Sequence, residues 1–150
     1  MTLKEKIAAA FADVPPPADE NITHCPYQCF ECTAVAGFFK GKRWQDISMA
    51  DARHYHGALN VFTPEAFQYF VPAFMGASIE AYDKHDIIPD SIRYHLEFAL
   101  EHREYFHVRM SKFSGTQRRI ITDFLREMER RGAGSAEDAI GFLNEPAHRA

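Results

Sequence analysis

Residues 63–79, Thr63-Pro64-Glu65-Ala66-Phe67-Gln68-Tyr69-Phe70-Val71-Pro72-Ala73-Phe74-Met75-Gly76-Ala77-Ser78-Ile79, decide the class of fold. Thr63 is a hydroxyl N-cap, Pro64 occupies the first helical position where its missing N–H costs nothing, and Glu65 complements the helix dipole. Phe67, Phe70, Val71, Phe74 and Ile79 then form one apolar stripe at helical spacing. Pro72 removes the bond to the Gln68 carbonyl and is expected to kink the axis around a neighbour. A helix with so apolar a face must pack inside something.

The flanking sequence supplies further helices. Thr2-Leu3-Lys4-Glu5 and Ser114-Gly115-Thr116-Gln117 are capping boxes. The first opens a short amphipathic helix over residues 3–12, with Leu3, Ile7, Ala10 and Phe11 on one face. The second opens the most regular stripe, Ile120, Ile121, Phe124, Leu125 and Met128, which stops at Arg130-Arg131-Gly132. Cys25 and Pro26 predict the N-cap and first position of another helix that ends at Gly41, a left-handed cap after Lys40. Asp90 is expected to cap a helix bearing Ile92, Leu96, Ala99 and Leu100 and running to about His107. Ser135 with Asp138 starts a last short one carrying Ile140, Phe142 and Leu143. Residues 46–60 carry only a weak helical pattern, in Met49, Ala52 and Leu59. No alternating run long enough for a sheet occurs, nor any internal repeat. The expected fold is all-α, one compact bundle of about six or seven helices spanning residues 1–150. Its N-terminal helix and the Pro15-Pro16-Pro17 strap, residues 1–21, pack on it.

Composition agrees with an ordinary globular domain: 150 residues, 46% apolar, 13% aromatic and 25% charged. Thirteen Phe provide large core side chains without the help of disulfides. The net charge of −4 is spread over both halves of the chain, which argues against a nucleic-acid partner. Arg118, Arg119, Arg126, Arg130 and Arg131 are the one basic run, and Asp123, Glu127 and Glu129 interleave it as on a solvated helix face. No segment approaches the roughly 20 apolar residues of a membrane span, and residues 1–13 lack a signal-peptide core. The chain therefore reads as cytoplasmic, without a membrane partner.

Chemistry-bearing residues concentrate in His24-Cys25-Pro26-Tyr27-Gln28-Cys29-Phe30-Glu31-Cys32. C-x3-C-x2-C spacing is that of a radical iron–sulfur site, but Glu31 replaces the aromatic usual there and the chain is too short for the barrel such enzymes build. Cys25-Pro26-Tyr27 resembles the start of a glutaredoxin motif, with the second thiol one residue late. A cysteine at a helix N-cap has a lowered pKa, which makes Cys25 the candidate reactive thiol. Zinc is the possible cofactor, held by Cys29 and Cys32 with Cys25, His24, His54 or His56. That site requires the chain to stay irregular until Cys29, because seven residues of helix rise about 10.5 Å whereas thiolates on one zinc lie within about 4 Å. Finally, Cys25, Cys29, Cys32, Ala36 and Phe39 recur at i, i+4, i+7, i+11 and i+14, the spacing of a buried stripe that needs no cofactor. His95, His102 and His107 near Glu97, Glu101 and Glu104 lack the paired Glu-x-x-His motifs of a di-metal bundle. No complete catalytic motif occurs.

The segments His24 to Cys32, Phe39-Lys40-Gly41-Lys42-Arg43-Trp44, Thr63 to Phe74, and Gln117 through Phe124-Leu125 resemble an uncharacterised family of small bacterial proteins classed as a domain of unknown function. The likeness covers about residues 20–130. It implies a bacterial source and a stand-alone domain, and no chemistry. Together these features predict a non-enzymatic cytosolic protein that acts through a protein partner. Trp44, Lys42, Arg43, Tyr55 and Tyr69 are its candidate contact surface, since aromatics and Arg are enriched at interfaces. Trp44 as a core plug is the competing reading, zinc binding and thiol redox chemistry are alternative functions, and homodimerisation through an apolar face stays open.

Overall fold

The computed structural model describes residues 1–24, 29–82, 87–96 and 103–146. The described residues form the helices α1 (Leu3–Ala10), α2 (Phe30–Phe39), α3 (Met49–His54), α4 (Ala58–Val61) and α5 (Pro64–Glu80), followed by α6 (Ile87–Leu96), α7 (Arg103–Ser111), α8 (Gly115–Arg130) and α9 (Glu137–Leu143). Short 3-10 turns occur at Asp19–Asn21 and Trp44–Asp46. The all-α expectation holds. Among the described residues, more helices occur than expected because the weak 46–60 segment yields two short ones, α3 and α4.

Local chemistry sets most boundaries. Both capping boxes close, with Thr2 Oγ1 accepting from the Glu5 N–H and Ser114 Oγ from that of Gln117, each answered by the third residue's side chain. Thr63 Oγ1 accepts the Ala66 N–H at 3.1 Å, and α5 runs unbroken through Pro72. Gly41 takes φ +72° just after α2, a left-handed conformation that a side chain would strain.

Three starts differ from expectation. The N-cap of α2 is Cys29, whose Sγ accepts the Cys32 N–H at 3.3 Å, so the first helical position is Phe30 and not Pro26. Helix α6 begins at Ile87, which leaves Asp90 inside its first turn. Helix α9 begins at Glu137, two residues after the expected Ser135, whose Oγ accepts the Glu137 N–H at 3.3 Å, while Glu129 Oε2 from α8 takes the Ala136 N–H at 2.8 Å. The expected continuation through Ala99 and Leu100 lies outside the described residues.

Helix α5 is the axle of the fold, with α1, α3, α6, α7 and the Trp44–Asp46 turn packed around it. Helix α1 also lies along α8, and α9 contacts α6 and α8. The stretch before α2 is tied to the start of α5: the Thr63 N–H donates to the Ile22 carbonyl at 3.0 Å and Thr63 Oγ1 to the Asn21 carbonyl at 2.7 Å. Phe39 is the aromatic hub on this side, with ring centres 5.0 Å from Phe62 and 4.8 Å from Phe70. Burying each such ring contributes on the order of 2–3 kcal/mol. Among the described residues, no helix is long and apolar enough to cross a membrane.

Candidate functional site

The two described cysteines of the segment sit in different surroundings. Cys29 is exposed at the α2 N-cap, and Cys32, 4% exposed, points into the core with Val35 and Phe39. The buried stripe of α2 is thus Cys32, Val35 and Phe39. Cys29 leaves it because a capping residue sits before the helical repeat begins. His24 Nε2 lies 3.2 Å from the Asn60 carbonyl oxygen. Cys25 lies outside the described residues, and by position the thiol at the helix N-cap is Cys29. Among the described residues, no group of three or more His, Cys, Asp or Glu side chains is placed to hold a metal. Phe30, beside Cys29, is 91% exposed.

The predicted contact residues divide between two hollows. Lys42, Arg43 and Tyr69 come together around a cleft of about 170 Å³ between the α2–α5 face and the polyproline strap. Gly41 makes this possible, since its left-handed turn ends α2 abruptly and sets the next two cations on the cleft's rim. Lys42 Nζ donates to the Phe38 carbonyl at 2.7 Å and stands 4.3 Å over the Phe38 ring. This satisfies an orphan carbonyl at the negative end of α2 and fixes the ammonium in place. Tyr55 stacks on the Phe38 ring at 4.2 Å and so borders the same patch. Trp44 does not join it. It is half-buried against the core and lines a separate hollow of about 220 Å³ with Met49, Pro72 and Ala73.

The cations of the rim differ from Lys4, Lys112, Arg126, Arg130 and Arg131, whereas Lys6 and Arg119 likewise pair with no carboxylate among the described residues. Among the described residues no carboxylate pairs with Lys40, Lys42 or Arg43, all three exposed. On α8, Arg126 pairs with Glu129 and Glu137, and Arg130 and Arg131 both pair with Glu127. Lys4 pairs with Glu80 and Lys112 with Glu65. Arg118 is 6% exposed and donates to the Met110 carbonyl at 3.3 Å, so it serves the interior. Lys6 and Arg119 share a third, shallow hollow with Asp123.

A buried polar pair escaped sequence reasoning. Arg109 on α7 is 1% exposed, its guanidinium carbon 4.2 Å from the Phe67 ring centre and 5.2 Å from that of Phe106. Its Nη1 donates to the His95 carbonyl at 3.3 Å and lies 3.4 Å from His95 Nδ1. An Arg can only donate, so Nδ1 must be the unprotonated nitrogen of a neutral imidazole. Burial first, and the adjacent Arg109 cation second, hold the His95 pKa down to about 3 from the ordinary 6.5. Fourteen positions separate the two residues in the chain, and only the packing of α6 on α7 joins them. His107 is half-buried, and His102 lies outside the described residues.

No curated protein and no solved structure matches the chain. The sequence model of a family described as a family of unknown function (DUF6714) matches residues 2–140, and the chain belongs to that family.

Proposed function

We propose that this protein is a non-enzymatic, cytosolic binding module that engages an acidic segment of a protein partner through the 40–43 turn and the cleft beside it. The observation that carries this reading is the cluster of exposed cations at Lys40, Lys42 and Arg43, which among the described residues has no carboxylate partner in a chain of net charge −4. Cations left unpaired next to apolar and aromatic surface supply both steering and contact area for an acidic ligand. Tyr55 and Tyr69 provide amphipathic contact area at the same place.

Selection of random dodecapeptides on the immobilised protein tests it. Enrichment in Asp and Glu is expected on the wild type and is expected to vanish on a Lys40→Glu/Lys42→Glu/Arg43→Glu variant. Equal recovery from the two proteins, or no acidic bias, contradicts the reading.

Zinc binding is the second reading, favoured by the position of Cys29, exposed and ahead of α2 instead of inside it. Cys29, His24 and Cys25 are its ligands, with Cys32 as a fourth only if the start of α2 unwinds. Metal analysis of untagged protein beside a Cys25→Ser/Cys29→Ser variant tests it: stoichiometric zinc lost in the variant supports the site, and metal-free wild type removes it.

A further inference from the structure

The cleft on the rim of α2 has the size and chemistry to take one residue, and that residue's chemistry can be specified. Its volume of about 170 Å³ falls below the roughly 300 Å³ at which small-molecule sites begin, so it holds about one side chain. The floor is apolar and rigid: Ile22, Phe39 and Phe70 are buried, and the last two rings are in edge contact at 4.8 Å. Pro16 and Pro17 form one wall. Proline carries no N–H, so that wall presents pyrrolidine carbon and no donor.

Polar groups are confined to the edge. Lys42 and Arg43 stand on the rim, the first immobilised by the Phe38 carbonyl and ring, and Asp19 supplies the one carboxylate of the lining. Tyr69 also lines the cleft, is 5% exposed, and its hydroxyl has no hydrogen-bond partner among the described residues. Its oxygen is not sealed from solvent, so it is available to a ligand that enters the cleft. Apolar floor, two cations, one carboxylate and one available hydroxyl match a terminal residue: an apolar side chain, an α-carboxylate, and one backbone N–H.

We propose that the cleft binds the free C-terminus of a partner protein whose last residue is apolar and of about leucine size. The side chain enters over Phe39 and Phe70, the carboxylate meets Lys42, Arg43 and the Tyr69 hydroxyl, and the terminal N–H donates to Asp19. Charge-assisted bonds of the guanidinium to a carboxylate are the strongest polar contacts available at such a rim. A chain end is the occupant favoured over a free acid because Lys40 continues the cationic surface beyond the cleft, where acidic residues upstream of the terminus would lie. The proposal rests on the partner-binding reading above.

Anisotropy of the labelled peptide Asp-Glu-Asp-Glu-Ser-Leu, as free acid and as C-terminal amide, tests it, with N-acetyl-leucine as competitor. The free acid is expected to bind at least about tenfold more tightly than the amide, the scale of one charge-assisted contact. Arg43→Gln, at an exposed position, and Tyr69→Phe, which keeps the ring, should each erase most of that ratio, weakening binding of the free acid more than binding of the amide. Equal binding of acid and amide overturns the proposal, and if that binding is still lost in the Lys40→Glu/Lys42→Glu/Arg43→Glu variant the partner-binding reading survives alone. Absence of binding by either peptide overturns both. Competition by N-acetyl-leucine at the peptide's own affinity overturns the chain-end assignment in favour of a free carboxylic acid.

Discussion

Helix α8 and the 40–43 turn both gather cations, and they treat them in opposite ways. On α8, Arg126, Arg130 and Arg131 are held by Glu127, Glu129 and Glu137, while Arg118 turns inward to the Met110 carbonyl. At the turn, Lys40, Lys42 and Arg43 face outward, and no described carboxylate pairs with them. In sequence both are short basic runs. The difference lies in conformation: on a helix, i,i+3 and i,i+4 placement lets Arg126, Arg130 and Arg131 each reach a Glu, whereas Lys42 and Arg43 stand before a 3-10 turn whose Asp46, at the same spacing, does not pair with them. Pairing with a carboxylate therefore separates a structural charge cluster from an available one, whereas in the interior Arg109 is withdrawn by burial, with the His95 and Leu59 carbonyls as acceptors.

That contrast can be broken at several points, beginning with the interior. His95 is neutral when folded with a pKa of about 3 against an ordinary 6.5, so the unfolded chain binds the extra proton between these values. Its contribution to stability is fully present above about pH 6.5 and is lost as pH falls toward 3, at about 1.4 kcal/mol per pH unit and on the order of 4–5 kcal/mol in all. Urea unfolding of wild type and His95→Gln between pH 7 and pH 4 should show curves that diverge by this slope, and parallel curves would exclude a buried neutral imidazole. Phe39→Ala, removing the hub that supports the 40–43 turn, should cost about 3–5 kcal/mol in the same assay. A loss below about 1 kcal/mol would mean that the aromatic cluster can re-pack without it.

Smaller effects separate the two charge clusters directly. Glu127→Gln strips Arg130 and Arg131 of their partner and should lower stability by no more than about 1 kcal/mol, less at high salt, since these are exposed-side pairs. Lys40→Ala and Arg43→Ala, with no described pair to lose, should change the melting midpoint by less than about 0.5 kcal/mol equivalent. A larger penalty at the turn than on α8 would reverse the distinction.

Features governed by near neighbours in sequence were legible before the structure. Thr2, Thr63 and Ser114 cap their helices within three residues of themselves, and Gly41 ends α2 by its own backbone freedom. The errors arose where two residues satisfy one rule or where a partner comes from elsewhere in the fold. Cys25 and Cys29 both fit an N-cap, and Cys29 takes the role by accepting the Cys32 N–H. The start of α9 depends on Glu129 of α8. Likewise His95 and Arg109 carry no mutual signal in sequence, and their pairing follows only from how α6 meets α7. How the predicted contact residues are grouped depends on the fold. Lys42, Arg43 and Tyr69 converge because α5 passes beneath the end of α2, while the 3-10 turn Trp44–Asp46 carries Trp44 to the other hollow.

The central claim is that availability, and not the number of positive charges, defines the binding surface. Its most direct test compares two triple charge reversals, Lys40→Glu/Lys42→Glu/Arg43→Glu and Arg126→Glu/Arg130→Glu/Arg131→Glu, for binding of the labelled peptide Asp-Glu-Asp-Glu-Ser-Leu at low salt. Reversal at the turn is predicted to weaken binding by at least about a hundredfold, the scale of several close charge contacts, and reversal on α8 by less than about threefold. Equal losses from the two variants would contradict the account, because binding would then follow net charge and not the unpaired cations of the turn.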